Sequence, residues 1–484
     1  MTFRGEDREM KQSGGTSSME AAMANPADVA AERERLEAAG VEYVFSCWVD
    51  LLGQPKTKPV PISEFDDLFA GKGPQFATHS VSMTPDLGPA DPDQIALADL
   101  DSVRICPWDN RYAWVMADLF WKGEPYNMCP RQALKRQVKA AAELGYAFTA
   151  GFEPEFIVLR WEDGKAVKAF GGLDDHQIGD GSVRRQAFGY DVEHTLDGMA
   201  FLDEVVRAIN DLGWGLSNVV AEGAYSQFEL DFGPSDALDT ADRLVLLRVM
   251  LKEIAKRHGL FVTYMAKPSG GDWRNGAHIN HSMTKVDDAS ANLFAGSDGD
   301  WSPMAFNALA GVLRHGAAIT SIACPTVNSY KGLVGRAADL EGGTLTWAPT
   351  HICYGFNNRS AMVRLPQTRK AIENRACDMC VNPHMAMALT MAASLEGVRD
   401  NLQPGDPIDV PLYDMSAEEV AARSITRLPR NLFEAATALE EDELAKEVFG
   451  ETMHALAVKG KLDEWYRFSE HVTEWEQAEY LQFF

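Results

Sequence analysis

The feature that most constrains this chain is a pair of acids on one strand. In the stretch GFEPEFIVLR, Glu153 and Glu155 flank a proline, and an apolar run follows them directly. Side chains two residues apart on an extended chain leave the same face, so the two carboxylates point into the same space. Like charges this close repel each other, and burying even one unpaired charge is strongly unfavourable. A fold that accepts this strand therefore has to bring positive charge to that face.

Acids also alternate with apolar residues in a second segment. In AEGAYSQFELDF, Glu222 opens the segment, and Gln227, Glu229 and Asp231 would share one face of a strand. The phenylalanine and the leucine between them would share the other face. A turn-rich stretch, YMAKPSGGDWRNGAHINHSM, then supplies His278.

Arginines accompany the last of these acids. Glu373 and Arg375 stand two residues apart in KAIENRACDMCVNP, and Arg359 and Arg364 lie in another apolar stretch, NNRSAMVRLP. For any one of these groups a structural ion pair is the better interpretation, but five acids in otherwise apolar strands favour a divalent cation among them. Oxygen ligands with a single imidazole suit Mg²⁺ or Mn²⁺ better than zinc. The arginines favour a phosphate-like oxyanion in the same cavity.

Composition narrows the partners and the compartment. The net charge of −26 argues against nucleic acid, because proteins that track phosphates need a basic surface. No apolar run reaches the roughly 18 residues that a membrane helix needs. Neither a P-loop nor a G-x-G-x-x-G fingerprint is present. The seven cysteines, with no second close pair to complete a zinc site beside Cys377-x-x-Cys380, favour a reduced, cytoplasmic protein.

The order of the patterns predicts two domains behind a leader. Residues 1–28 begin polar and rich in glycine and serine, with no apolar core of a secretory signal, so we expect a disordered leader there. Short β-rich runs between Gly/Pro turns predict a small sheet domain over residues 29–130. Helical stretches that end at glycines then alternate with strands, which predicts a long α+β domain over residues 131–484.

Six segments in a fixed order resemble the glutamine synthetase superfamily. They are GFEPEF, AEGAYSQFE, KPSGGDWRNGAH, NSYKGL, NNRSAMVRLP and ENRACDMCVNP. The chain is most similar to the subgroup that joins glutamate to amines, which includes γ-glutamylmethylamide and γ-glutamylanilide synthetases. This resemblance implies an N-terminal β-grasp domain, a catalytic α+β domain, and stacked hexameric rings in which neighbouring subunits share each site.

The same resemblance implies a role for individual residues. The ligands of a first metal, near the amino-acid substrate, would be Glu155, Glu222 and Glu229. The ligands of a second metal, near the nucleotide phosphates, would be Glu153, His278 and Glu373. The arginines that face the transferred phosphoryl group would be Arg359, Arg364 and Arg375. The nucleotide contacts would be Ser282, Asn280 and Lys370, and Arg274 and Gly276 would belong to the substrate site.

The activity implied is an ATP-dependent ligation. The γ-phosphoryl group of ATP moves to the side-chain carboxylate of glutamate, and an organic amine then attacks the γ-glutamyl phosphate to give an amide, ADP and phosphate. Two or more Mg²⁺ or Mn²⁺ ions and the arginines would neutralise the charge. The alternatives are a glutamine synthetase that uses ammonia and a catalytically silent relative, and the presence of all six ligand positions argues against the silent relative.

Two departures from the family pattern bear on the amine. Trp347 stands where ammonia-using members carry an acid, and Ala77 replaces the aspartate of the N-terminal domain. The loss of two anions should disfavour ammonium and favour a larger, more apolar amine. Trp347 as an ordinary core aromatic is an equal alternative. Glu341, in the loop GLVGRAADLEGGT, is a candidate substitute acid.

Other departures concern the acid substrate. Gly332 stands where the family usually places the arginine that clamps the α-carboxylate, and Trp273 and Arg274 replace a usual Asn-Gly. Arg274 and Arg336 are candidates for the missing charge. Asn280 occupies the usual place of a second histidine, so His281 is not expected to be a ligand. Tyr413, which aligns with a regulatory adenylylation position in some relatives, is better read as loop packing.

Overall fold

The chain was studied as a computed structural model that describes residues 17–77, 90–170, 189–269, 273–334 and 347–484. It divides into two compact units, the first ending at Lys135 and the second beginning at Arg136. The strands of the described part are β1 (Tyr43–Val49), β2 (Pro55–Pro61), β3 (Gln75–Phe76), β4 (Gln94–Ala98), β5 (Arg104–Ile105), β6 (Tyr112–Trp121), β7 (Glu124–Pro125), β8 (Tyr146–Glu162), β9 (Lys165–Lys168), β10 (Leu216–Ala221), β11 (Gln227–Phe232), β12 (Ser235–Asp236), β13 (Phe261–Thr263), β14 (Ala277–Lys285), β15 (His351–Phe356), β16 (Ala361–Leu365), β17 (Ile372–Asn374) and β18 (Thr426–Arg427).

The helices of the described part connect and cover these strands. They are α1 (Ser18–Ala21), α2 (Pro26–Ala38), α3 (Pro130–Glu143), α4 (Val192–Asp211), α5 (Ala237–Arg257), α6 (Pro303–Arg314), α7 (Gly316–Ala323), α8 (Ser329–Gly332), α9 (Pro383–Arg399), α10 (Ala417–Ala422), α11 (Leu432–Glu441), α12 (Glu443–Ser469) and α13 (Glu474–Tyr480). Among the helices described, none is both long enough and apolar enough to cross a bilayer.

The first unit is built on one mixed sheet. Its strands run in the order β2-β1-β6-β4-β3, with β1 parallel to β6 and the short strands β5 and β7 paired to β6. Helix α2 covers the sheet by burying Val29 and Leu36 in a core that includes Phe65 and Phe69. Asn25 caps this helix by accepting a hydrogen bond from the backbone of Ala27 at 2.9 Å.

The predicted leader differs from the structure in part. Residues 1–16 lie outside the described residues. Residues 17–28, however, contain α1 and the start of α2, so ordered helix begins within the segment expected to be disordered. The capping box of Ser17 and Glu20 explains α1, because the serine and glutamate side chains satisfy each other's backbone N–H groups.

The second unit has a larger sheet whose central strands are antiparallel. Its order is β10-β11-β8-β14-β17-β16-β15-β18, with β9, β12 and β13 paired to β8. The register places Glu155 opposite Glu229, Glu153 opposite His278, and Glu373 opposite both Asn280 and Arg364; each of these pairs crosses one strand boundary. Directly opposite residues on antiparallel strands have Cβ atoms about 5 Å apart, so this register alone gathers the charged side chains.

Helices pack on the face of the central strands that is opposite to the glutamates. On β8 the residues that alternate with the acids, Phe152, Pro154 and Phe156, are buried, and α5 lies against this strand. Helix α9 is buried along most of its length and contacts α5, α6, α7 and α12. It approaches α6 closely at Gly311, where an added Cβ would lie 1.9 Å from the carbonyl oxygen of Ala393. The glutamates are therefore carried on a sheet with a well-packed back.

Candidate active site

The antiparallel register brings five of the six predicted metal ligands together. His278 lies between the two glutamates of β8: its Nδ1 is 3.0 Å from Glu153 Oε2, and its Nε2 is 4.0 Å from Glu155 Oε1. Ligand atoms of Glu155, Glu229 and His278 lie within 4.8 Å of one another, as do those of Glu153, Glu373 and His278. Both sets consist of carboxylate oxygens with a single imidazole, which is the donor set that Mg²⁺ and Mn²⁺ accept.

The first acid group, defined here as Glu155, Glu222 and Glu229, is short of positive charge. Burial, and then the charge of Glu222, raise the pKa of Glu155 to about 8. Burial also raises the pKa of Glu222 and raises that of Glu229 well above its usual range, and in Glu229 the charges of Glu153, Glu155 and Glu222 add to the effect. Glu222 follows directly after β10 and is close enough for its charge to act on Glu155. Carboxylates that bind a cation have raised pKa values when the cation is left out, because nothing then stabilises their buried negative charge. The first acid group shows this pattern.

Two neutral groups hold Glu155 in place. Its Oε2 accepts hydrogen bonds from the backbone N–H of Gly276 at 2.8 Å and from Gln227 Nε2 at 3.1 Å. A Cβ at Gly276 would lie 2.6 Å from Glu155 Oε1 and 3.2 Å from His278 Nε2. A side chain at position 276 would therefore displace Glu155 or His278. Gly276, which was predicted to belong to the substrate site, contacts Glu155 and orients its carboxylate.

The second acid group, defined as Glu153, His278 and Glu373, is surrounded by arginines. Glu373 is fully buried; its Oε1 accepts from Arg375 Nη1 at 2.7 Å, and its Oε2 accepts from Arg364 Nη1 at 2.9 Å. A third arginine, Arg369, donates through Nη2 to Glu373 Oε2 at 2.9 Å and to Glu153 Oε1 at 2.7 Å. Among the described residues, arginines therefore pair directly with the second acid group and not with the first.

Arg369 is a site residue that the sequence reasoning missed. It also donates to Asn280 Oδ1 at 2.9 Å, while Asn280 Nδ2 donates to Glu153 Oε1 at 3.0 Å. The neighbouring Lys370, a predicted nucleotide contact, places its ammonium 5.0 Å from the ring centroid of Trp301. The available signal was the charge pattern of TRKAIENR, in which arginines flank Glu373 on both sides.

The three predicted phosphoryl-facing arginines have different surroundings. Asn357 Oδ1 accepts from Arg364 Nε at 3.1 Å and from its Nη2 at 2.6 Å. The carbonyl of Arg359 accepts from Arg375 Nε at 3.1 Å. The guanidinium of Arg359 lies over the indole of Trp347, 5.6 Å from the ring centroid. Two of the three arginines therefore contact the acids, and the third lies on an aromatic ring.

Trp347 is part of an aromatic pair. Its side chain meets that of Trp273 edge to face, with ring centroids 6.0 Å apart and an interplanar angle of 75°. Trp347 is 47% exposed, so it is not a core aromatic. Trp273 lies on Gly223, where an added Cβ would be 2.6 Å from the indole carbons, and Gly223 directly follows Glu222 of the first acid group. The name aromatic pair is kept below for Trp273 and Trp347.

The remaining predicted residues are more scattered. The stem of Arg274 packs on Gly332, where a Cβ would lie 2.9 Å from Arg274 Cβ, and its Nη2 donates to the carbonyl of Cys377. Ser282 is buried on β14 opposite Thr149. Ala77 belongs to the first unit, where it follows β3 and is exposed. Glu341 and Arg336 fall outside the described residues.

Four side chains left out of the site by the sequence reasoning have other partners. His281 is buried and its Nε2 is 2.9 Å from Ser394 Oγ, on the side of the sheet that carries α9. Tyr413 donates to the carbonyl of Ala348 at 2.6 Å, which is loop packing. Cys377 is a free thiol in the described structure, as is Cys380, whose Sγ contacts the carbonyl of Tyr264.

Comparison with known proteins gives a consistent family. A model described as the catalytic domain of glutamine synthetase matches residues 127–480. Glutamate–methylamine ligase of Methyloversatilis universalis is 34% identical over 455 residues, which are 92% of this chain and 97% of that protein. Glutamine synthetase of Rhizobium leguminosarum bv. phaseoli is 33% identical over 444 residues, which are 90% and 96% of the two chains.

Solved structures match over the same length. The structure titled "GmaS/ADP complex-Conformation 1" superposes with a TM-score of 0.81 at 32% identity, covering 93% of this chain and 99% of that one. The structure titled "Apo GmaS without ligand" gives a TM-score of 0.80 at the same identity. Together with the match to the catalytic domain, this agreement in sequence and in fold shows that the chain belongs to the glutamine synthetase family, whose members are ligases that use ATP and divalent metal ions.

Proposed function

We propose that this chain joins the γ-carboxylate of glutamate to an organic amine, through a γ-glutamyl phosphate and with release of ADP and phosphate. The observation that carries the amine part is the aromatic pair beside the first acid group, because the family's ammonia users place an acid where Trp347 stands. An indole offers apolar contact and a face for a cation but no negative charge. An alkyl- or arylamine gains apolar contact from such a surface, whereas ammonium gains less from an indole than from the carboxylate that the indole replaces.

The two acid groups fit two divalent cations. Glu155, Glu222 and Glu229 would hold the first, and Glu153, His278 and Glu373 the second. When bound, such ions neutralise the charge of the phosphoryl group during its transfer. The raised pKa values of the first acid group support this assignment, because burial and the charges of neighbouring acids make its ionised carboxylates unfavourable until a cation binds.

The chain's own arginines would complete the phosphoryl site. Arg364 and Arg375 are fixed on Glu373 and directed by Asn357 and by the Arg359 carbonyl, which leaves donors on guanidinium groups that are already oriented. A carboxylate oxygen of glutamate attacks the γ-phosphorus and ADP leaves. The amine nitrogen then attacks the acyl carbon, phosphate leaves, and the amide nitrogen loses a proton. Preorganised cations stabilise the charge that develops at each step.

Glutamine synthesis is the second candidate function. The relatives include both a glutamate–methylamine ligase and glutamine synthetases at similar identity, so the family alone does not choose between ammonia and an organic amine. Glu341 remains the candidate acid that would favour ammonia. The choice of an organic amine rests on Trp347 and on Ala77, neither of which carries a charge.

The deciding experiment measures ADP release with glutamate and ammonia, methylamine, isopropylamine, ethanolamine or aniline. We expect kcat/KM to be at least about tenfold higher for one of the organic amines than for ammonia, which corresponds to about 1.4 kcal/mol in transition-state binding. A preference for ammonia would replace this proposal by glutamine synthesis. ADP release with none of the amines would support the silent relative.

The assembly is also part of the proposal. We infer stacked hexameric rings in which Ala77 and the residues after it, which lie outside the described part, contribute to the site of a neighbouring subunit. Sedimentation velocity should then give a particle many times the 53.3 kDa of one chain. A fully active monomer would exclude a shared site.

A further inference from the structure

Arg369 contacts residues on three strands at once, and two of them belong to the second acid group. Its Nη2 donates to Glu153 Oε1 on β8 at 2.7 Å, to Asn280 Oδ1 on β14 at 2.9 Å and to Glu373 Oε2 on β17 at 2.9 Å. One guanidinium nitrogen therefore lies where carboxylate oxygens from two different strands converge. These are the oxygens that the proposed function gives to the second divalent cation.

The Nη2 nitrogen of Arg369 and a divalent cation that binds both Glu153 and Glu373 would compete for the same position. A cation of this kind binds carboxylate oxygens at about 2.0–2.2 Å and demands a compact shell of ligands. Nη2 of Arg369 is within 2.7 and 2.9 Å of oxygens of both carboxylates, so it would be pressed against an ion that binds the two acids, and the two positive charges would repel each other. Arg364 and Arg375 each approach Glu373 alone in the described part of the chain. Binding of the second cation therefore requires that Arg369 leaves.

Of the three arginines on Glu373, Arg369 is the one able to leave. The side chains of Arg364 and Arg375 are only 13% and 9% exposed, and each has a second anchor outside the acids, Asn357 and the carbonyl of Arg359. The side chain of Arg369 is 42% exposed and lies on the connection between β16 and β17. The guanidinium of Arg369 already has part of its hydration in the ion pair, so its release into water costs less than the release of Arg364 or Arg375 would.

We propose that Arg369 is an exchangeable cation of this site: it neutralises Glu153 and Glu373 until the second divalent cation binds, and the released guanidinium then pairs with a phosphate of the nucleotide that binds beside that cation. The proposal rests on the assignment of the second cation under the proposed function. It makes Arg369 a competitor of the metal when nucleotide is absent and a phosphate ligand when nucleotide is present. Metal and nucleotide are then coupled through one side chain.

The test is Mn²⁺ binding to the intact protein, followed by electron paramagnetic resonance and calorimetry, with and without ADP. Without ADP, the dissociation constant of the more weakly bound Mn²⁺ should be lower in Arg369→Gln than in the wild type by about fivefold or more, because a competing charge is gone. ADP should increase the affinity for that ion by a larger factor in the wild type than in the variant. Only in the wild type can a phosphate of ADP draw the Arg369 guanidinium away from the acids, and this coupling between ADP and the ion is reciprocal. Arg430→Gln is the matched control, since its exposed guanidinium pairs with Glu434 on α11, and it should leave both affinities unchanged.

Each outcome decides the proposal. Weaker-site affinity that is equal or lower in Arg369→Gln would overturn it, as would an ADP effect of the same size in both proteins. If Arg369→Gln does not fold, Arg369→Lys is measured instead; it retains the charge but not the reach of the guanidinium, and it should give an intermediate affinity. Detection of one Mn²⁺ only, with ADP present, would overturn the second cation site, a result independent of the amine assay that tests the proposed ligation.

Discussion

The first and second acid groups lie side by side on one sheet but differ in the positive charge that the chain brings to them. Around Glu155, Glu222 and Glu229, the oriented hydrogen-bond donors are neutral, Gly276 N–H and Gln227. Around Glu153 and Glu373, three guanidinium groups contact carboxylate oxygens. In the part of the chain that the structure describes, arginine ion pairs therefore compensate the burial of the second acid group, and the first has no ion pair with an arginine or a lysine.

This difference assigns different work to the two groups. An uncompensated group binds whatever positive charge arrives, a proton or a metal ion, so its metal affinity depends on pH. A compensated group is already folded into an ion-pair network and can accept a metal ion only by exchange. The first acid group should therefore control metal requirement and proton release, and the second should control how metal and nucleotide depend on each other.

The largest effect is expected from removal of a carboxylate in the first acid group. Glu155→Ala or Glu222→Ala should lower the rate of amide synthesis about 10²-fold or more, because charge stabilisation at phosphoryl transfer is lost. ADP release under saturating substrates measures it. Glu162→Ala, at the exposed end of the same strand β8, is the control and should retain wild-type activity. A Glu155→Ala protein with a tenth of wild-type turnover and normal Mg²⁺ dependence would remove that residue from the site.

A smaller but still large effect is expected when Glu155 is displaced and not removed. In Gly276→Ala the new Cβ would collide with Glu155 Oε1 and crowd His278 Nε2. Loss of such an orienting contact typically costs about 10–100-fold in metal affinity. Mn²⁺ titration should show this loss at the tighter site. Gly151→Ala, on β8 with Glu155 and with open space around the added Cβ, should bind Mn²⁺ as the wild type does. Equal affinity in both variants would mean that Gly276 does not affect metal binding.

The contrast also predicts how stability depends on pH. The pKa of Glu155 is raised to about 8 in the fold, while a free glutamate titrates near 4.3. Between these values the folded state holds a proton that the unfolded state has lost, so stability falls as pH rises, by about 1.4 kcal/mol per pH unit for one such group. The melting temperature in EDTA should therefore fall from about pH 5 to pH 8, and added Mn²⁺ should reduce the fall.

A variant isolates this dependence from other titrating groups. Glu155→Gln keeps the shape but cannot ionise, so its melting temperature in EDTA should fall less steeply with pH than that of the wild type. The difference between the two proteins should grow toward pH 8. A wild-type slope equal to that of the variant would mean that Glu155 is ionised in the metal-free fold, and the first acid group would then be compensated like the second.

Local patterns allowed much of this to be predicted from the sequence. The strand face that carries Gln227 and Glu229 was predicted from alternation, and Phe228 and Leu230 are indeed buried on the other face. The glycine stops of α3 and α5 were predicted too, and Gly145 with φ 84° and Gly259 with φ 69° follow these helices. Both are local properties, because strand period and helix termination depend on neighbours in sequence.

What could not be predicted depends on reach and not on period. Arg369 belongs to a connection between strands, where no repeat fixes the direction of a long side chain. Arg274 is one of two candidates for the substrate's missing charge, and the sequence does not show that its Nη2 donates to the Cys377 carbonyl, because this contact links residues far apart in sequence. The exposure of Trp347 was equally open, because the sequence places an indole near the site without showing whether neighbours cover it.

The smallest effect concerns the aromatic pair, which joins the two regions. Trp273 lies on Gly223 beside the first acid group, and Trp347 carries Arg359 on its ring and offers its carbonyl to Arg375 Nη2 at 3.5 Å. An acid at position 347 would add a charge-assisted hydrogen bond to ammonium, of about 1.5–3 kcal/mol, and would remove apolar contact of about 0.8 kcal/mol per methylene-sized group. Trp347→Glu should therefore shift the ratio of kcat/KM for aniline over ammonia toward ammonia by about tenfold.

The new carboxylate could instead pair with Arg359, so Trp347→Gln and Trp347→Phe are measured beside it. If loss of the indole alone decides selectivity, Trp347→Gln shifts the ratio as far as Trp347→Glu and Trp347→Phe retains it. If the charge decides, only Trp347→Glu shifts it. An unchanged ratio in all three variants would mean that the aromatic pair does not contact the amine.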